Sequence, residues 1–97
     1  MEDYKRKTIT VTADYSPWSM NQIVLCDATA GAINITLPNP TPTRGKVIAV
    51  GKVDTSSNSI TINPYSAELI VGASSQSLLY DGELLELVSD GTNWQVG

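Results

Sequence analysis

The sequence predicts an all-β fold: a compact antiparallel β-sandwich of jelly-roll-like type, with no substantial helix. Three observations carry that expectation. Short segments alternate apolar and polar residues with a period of two, as in Thr8-Ile-Thr-Val-Thr-Ala13 and Ala32-Ile-Asn-Ile-Thr-Leu37. Turn residues interrupt these segments at spacings of about 8–12 residues, the rhythm of sandwiches and barrels. No window repeats apolar residues at i, i+3, i+4 and i+7 over the length of a helix. At 97 residues the chain has length for one core. The expected organisation is an N-terminal arm over residues 1–7 and one sandwich domain over residues 8–97.

Taken in order, the first strand places Ile9, Val11 and Ala13 on one face and three threonines on the other. Pro17 breaks the next stretch and leaves Tyr15 and Trp18 in a loop. Gln22-Ile-Val-Leu-Cys26 is nearly continuous in apolar residues and reads as a strand buried on both sides. A turn over residues 27–31 follows, then a strand that aligns Ile33, Ile35 and Leu37. The longest loop spans residues 38–45, stiffened by three prolines that have no place in a central strand. Residues 46–53 are the most hydrophobic segment and the predicted centre of a sheet. A turn at 54–58 leads to Ser59-Ile-Thr-Ile-Asn63, which Pro64 stops. Short strands are expected at 68–71 and 75–80, with an Asp81-Gly82 turn after them.

The chain closes on a hairpin, Leu84 to Ser89 and Asn93 to Val96, turned at Asp90-Gly91. Gly91 takes the positive φ that such a turn needs, and Trp94 returns to the face of Leu85 and Leu87. Gly91 and Trp94 are therefore expected to be structural. Residues 32–38 and 59–64 look alike, but no longer fixed period joins them. They read as two equivalent edges of a sandwich and not as an internal repeat.

Composition narrows the functions. Phe is absent and aromatics are 6%, so the core is aliphatic. Charged residues make up 16%, below the roughly 25% of an ordinary soluble domain, and Ser, Thr and Asn fill the difference. Such faces suit burial against other copies of a chain. A net charge of −4 argues against nucleic acid as a partner, and Lys5-Arg6-Lys7 is the single basic run. One cysteine and no histidine exclude an intrachain disulfide, a cysteine-based metal site and the commonest general base. No apolar run approaches the ~18 residues of a membrane span, and no signal peptide opens the chain. The expectation is a soluble protein made in a reducing compartment, with Met1 as its own start.

The candidates for chemistry are few, and no enzyme and no cofactor are expected. Asp14, Asp27, Asp54, Asp81 and Asp90 sit in turns, where carboxylates cap their own backbone. Glu83 and Glu86 fall on opposite faces of a strand. Residues 54–58 offer oxygen ligands for calcium but lack the glycine and distal glutamate of such loops, so a plain turn is favoured. Cys26 lies in an apolar strand and reads as core. Gly45-Lys46 and Gly51-Lys52 lack the rest of a phosphate loop. Tyr15, Trp18 and Tyr65 are loop aromatics that either seat a partner or a glycan or close the core.

The order of segments carries a resemblance. Cys26-Asp-Ala-Thr-Ala-Gly-Ala-Ile-Asn-Ile-Thr-Leu-Pro38 resembles a stretch of the small β modules in tailed-bacteriophage virion proteins. So does Gly45-Lys-Val-Ile-Ala-Val-Gly-Lys-Val-Asp-Thr-Ser-Ser-Asn-Ser-Ile-Thr-Ile-Asn-Pro64, and Asp90-Gly-Thr-Asn-Trp94 is similar to the closing hairpin of the same modules. The likeness runs from about Thr8 to Val96. Such modules serve in head fibres, capsid decoration proteins and tail fibres, usually as homotrimers.

The resemblance therefore implies a virion structural protein, made in the bacterial host cytoplasm and without catalytic residues. The leading expectation is a trimeric decoration (cement) or head-fibre protein on the outer capsid, bound to the major capsid protein, with Lys5, Arg6 and Lys7 as the candidate capsid contact. The alternative is a tail-fibre or receptor-binding tip among other tail proteins, with Tyr15, Trp18 and Tyr65 on host glycan. Neither implies a nucleic-acid or membrane partner. Pro17-Trp18 and the three prolines at 38–42 depart from the family pattern and are expected to mark the surface for its own partner.

Overall fold

The computed structural model describes residues 7–17 and 21–97, and within them every regular element is a strand. In chain order these are β1 (Lys7–Val11), β2 (Gln22–Cys26), β3 (Ile33–Thr36), β4 (Val47–Lys52), β5 (Ile60–Asn63), β6 (Gln76–Leu78), β7 (Leu84–Ser89) and β8 (Trp94–Val96). They form two sheets, one ordered β1-β2-β4-β7-β8 and one ordered β3-β5-β6. β4, the most hydrophobic strand, is the middle strand of the larger sheet.

The pairing corrects the antiparallel, jelly-roll-like expectation. β1 with β2, β2 with β4, and β3 with β5 are all parallel. Only the last third of the chain adds antiparallel pairs, β5 with β6, β4 with β7, and β7 with β8. Parallel neighbours need a crossover between them, usually a helix. Here a strand of the opposite sheet takes that place: the chain runs from β2 across to β3, back to β4 and across again to β5. It winds in coils around one core. Gln22 lies beside Ile48 and Ile33 beside Ile60, steps of 26 and 27 residues. An earlier, partial coil consists of β1 and a parallel bridge from Tyr15 to Ile35.

The two similar segments are therefore a repeat in space. Asp27, Thr29, Ile33 and Ile35 recur 27 positions on as Asp54, Ser56, Ile60 and Ile62. They are neighbours within the smaller sheet, not two edges of a sandwich. The core between the sheets is aliphatic, as expected. Val24, Cys26, Ile48, Val50 and Leu87 from the larger sheet meet Ile33, Ile35, Ile60 and Ile62 from the smaller, all at most 1% exposed. β2 alternates between fully and half-buried positions, so it is not buried on both sides. Trp94 is 0% exposed and caps this core, as its place in the hairpin predicts.

Several boundaries move, beginning with β1, which stops at Val11 and leaves Ala13 outside the strand. The closing turn is four residues, 90–93, because Ser89 pairs with Trp94. The Asp90 carboxylate accepts the amides of Thr92 (2.8 Å) and Asn93 (2.7 Å), and Gly91 has the expected positive φ of 94°. Residues 68–71 hold no strand. Ile70 bridges to Ala73 and Trp94 around a tight turn in which Val71 is at φ 50° and Gly72 at φ 78°. The strand expected at 75–80 shrinks to β6, because Leu79 and Tyr80 give their amides to the Glu83 carboxylate at 2.6 and 2.8 Å.

Candidate functional site

The densest polar constellation lies where β4 leaves its sheet. Ile48 and Val50 point into the core, so the next residues of that parity, Lys52 and Asp54, point inward too. Lys52 is 0% exposed, and its ammonium meets Asp54 Oδ2 at 2.8 Å. Asp54 Oδ1 accepts the backbone amide of Ala28 at 2.7 Å, reaching into the preceding coil. Its other oxygen accepts the Ser56 amide at 2.9 Å and the Ser56 hydroxyl. Asn58 Nδ2 donates to the Ala28 carbonyl at 2.8 Å. One residue of the earlier coil is thus held at both its amide and its carbonyl by the corner of the next.

The electrostatics follow from this geometry. The Lys52 ammonium, then the Ser56 hydroxyl and the two backbone amides, hold the Asp54 carboxyl well below the usual carboxylate range. Burial, followed by the nearby Asp54 charge, pushes the Cys26 thiol up to about 11. A thiol in that state is neutral at pH 7 and a poor nucleophile. The oxygens of residues 54–58 already enclose a cation, the ammonium of Lys52, so the calcium alternative has no vacant carboxylate there. Among the described residues no group of three or more Cys, Asp or Glu converges as a metal site would.

The equivalent corner one coil earlier is simpler. Asp27 Oδ1 accepts the Thr29 amide at 3.1 Å and the Thr29 hydroxyl at 2.6 Å, and these contacts are solvent-exposed. Beside it is a shallow, open hollow of about 430 Å³ lined by Thr12, Ala13, Asp14, Ala30, Gly31 and Ala32. The Asp14 carboxylate there is taken by the Asn34 amide at 2.8 Å.

The residues singled out from the sequence are dispersed. Lys5, Arg6 and Trp18 lie outside the described residues, while Lys7 opens β1 opposite Gln22. Tyr15 packs against the core, and its hydroxyl accepts a hydrogen bond from Gln22 Nε2 at 3.0 Å. Its ring therefore closes the core. Tyr65 is 59% exposed just past β5, with β3 standing between that strand and Tyr15. Of the prolines, Pro17 and Pro40 are buried, and Ser89 Oγ donates to the Pro40 carbonyl at 2.6 Å. These prolines pack inward, and Thr41, Pro42, Arg44 and Gly45 are the exposed part of the loop.

Sequence reasoning missed the inward-facing lysine. The signal was present in the parity that runs from Ile48 through Val50 to Lys52 and Asp54. It also missed the contact from Gln22 to Tyr15, which a residue-by-residue reading of a loop has no means to find. No protein-family model matches the chain, and no curated protein matches it.

Proposed function

We propose that this chain is a structural module of a tailed-bacteriophage virion, a homotrimeric decoration or head-fibre protein on the outer capsid surface. One observation carries the reading. The residues behind the resemblance, Lys52, Asp54, Ser56 and Asn58, spend their polar groups on one another and on Ala28. A motif used entirely for scaffolding marks a module whose work is to hold a shape and present surfaces. None of these four residues is left poised as an acid, base or nucleophile, and the proposed role is passive: trimers bridging neighbouring major capsid subunits stiffen the shell. Residues 1–7 are the proposed capsid arm, because a basic segment can order on an acidic surface.

The test is placement by electron microscopy of the intact particle, paired with removal of residues 1–7. The reading expects density on the capsid exterior, with occupancy lost and the oligomer kept in the truncated chain. Full occupancy without residues 1–7 removes the arm from the account, and absence from the particle removes the virion. The alternative, a tail-fibre tip on host carbohydrate, draws on the exposure of Tyr65. It expects reduced adsorption from Trp18→Ala and Tyr65→Ala phage, and a blank glycan array with wild-type adsorption ends it.

A further inference from the structure

The two sheets turn very different faces outward. On the smaller sheet the positions opposite in parity to the core isoleucines are Asn34, Thr36, Thr61, Asn63 and Ser77, all polar and uncharged. That is the alternation of a sheet face in water. On the larger sheet the outward positions include Ile23, Leu25, Val47, Leu84 and Val88, and Val53 continues them just past β4. The register lays them side by side, with Leu25 and Leu84 flanking Gly51, and Val47 beside Val88. A Cβ on Gly51 would meet Leu84 Cδ1 at 2.9 Å and Leu25 Cδ2 at 3.3 Å, so the glycine lets the two leucines close into one patch. Leu84 is 59% exposed and Val53 45%.

This patch has the anatomy of an interface. Its centre is mostly aliphatic, while Thr8 and Thr10 on β1 and Gln95 on β8 edge it with polar side chains, and Glu86 lies within it, between Leu84 and Val88 and opposite Ala49. Glu86 is the single charged residue among the outward positions of these strands. Outward strand positions that carry one carboxylate among aliphatic side chains offer little to a strongly charged partner. A second copy of the same face brings an equally aliphatic surface with the same single carboxylate. Extent allows this: the molecule measures 39 × 34 × 18 Å, so a broad face has room for the roughly 800 Å² per partner that a stable interface buries.

We propose that the outer face of the β1-β2-β4-β7-β8 sheet is the self-association surface, centred on Leu25, Leu84 and Val53 and covered by another copy of this chain. The proposal rests on the self-assembly part of the reading above and is independent of its virion part.

The experiment is the solution mass of the full chain by light scattering and native mass spectrometry, for wild type and two double variants. Leu84→Lys with Val53→Lys charges the aliphatic face at its two most exposed positions. Thr61→Lys with Ser77→Lys charges the other sheet equally. The expected result is a wild-type mass that is a multiple of 10.4 kDa, kept by the second variant. The first should fall to 10.4 kDa with an unchanged β circular-dichroism spectrum and self-association at least 100-fold weaker. A wild type that is monomeric throughout the micromolar range overturns both this and the assembly reading. A wild-type oligomer that survives Leu84→Lys/Val53→Lys overturns the face alone. Should that variant unfold, methyl spectra of wild type on dilution decide: shifts at Ile23, Leu84 and Val53 support the face, and shifts confined to other methyls reject it.

Discussion

Asp27 and Asp54 occupy the same position in successive coils, and each caps a hydroxyl residue two places on. Their surroundings differ. Asp27 serves its own turn in contact with water, through Thr29 alone. Asp54 performs the same local task and adds the amide of Ala28 and the buried ammonium of Lys52. The motif is local in the first coil and ties two coils together in the second. A repeated turn signal therefore does not imply a repeated energetic role. What differs is the inward side chain that precedes it: β4 ends in Lys52, two residues before Asp54, whereas its register partner on β2 is the core thiol Cys26, one residue before Asp27. A charge brought inside needs its partner there, because a buried charge left unpaired is strongly destabilising.

Substitution separates the two corners. The largest effect is expected from Lys52→Ala, which strips the buried carboxylate of its cation. Breaking such a pair costs about 3–5 kcal/mol, against at most ~0.5 kcal/mol for Thr29→Ala at the exposed corner. Urea titration of both variants reads the difference, and equal midpoints would erase the distinction. Next, Asp54→Asn should lower the melting temperature clearly more than Asp27→Asn.

Acid sharpens the same contrast. The folded-state pKa of Asp54 is depressed, so its contribution is complete above the usual carboxylate range, near pH 4, and is lost as pH falls through that range toward the folded value. Glu83, whose carboxylate accepts the Tyr80 and Leu79 amides, and Asp90, which accepts the Asn93 amide, the Gln95 side chain and the Thr92 amide, are shifted the same way. Denaturation midpoints from pH 7 to pH 2 should therefore fall below about pH 4. Asp54→Asn should flatten that fall. The smallest effect concerns Cys26. Its thiol, raised to about 11 in part by Asp54, should resist thiol reagents at pH 8 in the folded protein and titrate lower in Asp54→Asn.

A change away from both corners calibrates the scale. Val71 is β-branched yet sits at φ 50° in a tight turn closed by the pair Ile70 N to Ala73 O (2.7 Å) and Ala73 N to Ile70 O (3.1 Å). Val71→Asn should stabilise the protein by about 1 kcal/mol, because asparagine tolerates that conformation. A loss of stability would mean that the valine side chain makes contacts worth more than the strain.

Much of the fold was legible because it depends on short-range pattern. Alternation placed the inward isoleucines of β3 and β5, hydrophobicity placed β4 at the centre, and Asp90-Gly91 placed the closing turn. The winding was not legible, because a period of two is the same in parallel and antiparallel strands, and the pairing of Ile33 with Ile60 joins residues 27 apart. The site was less legible still. Lys52 reads as a surface residue by type, and only its parity with Val50 shows it turned inward. Tyr15 reads as a loop aromatic, and only the bridge to Ile35 and the bond from Gln22 show it closing the core.

Two adjacent amides test the central claim, that the Asp54 corner ties one coil to the next while the Asp27 corner serves only itself. Ala28 N–H is held by Asp54 at 2.7 Å in the interior, and Thr29 N–H by Asp27 at 3.1 Å in contact with solvent. Hydrogen exchange followed by NMR should show Ala28 opening only with global unfolding and Thr29 exchanging through local opening. In Asp54→Asn the Ala28 amide should lose most of its protection. Equal protection of the two amides in wild type, or an Ala28 amide unaffected by Asp54→Asn, would contradict the account.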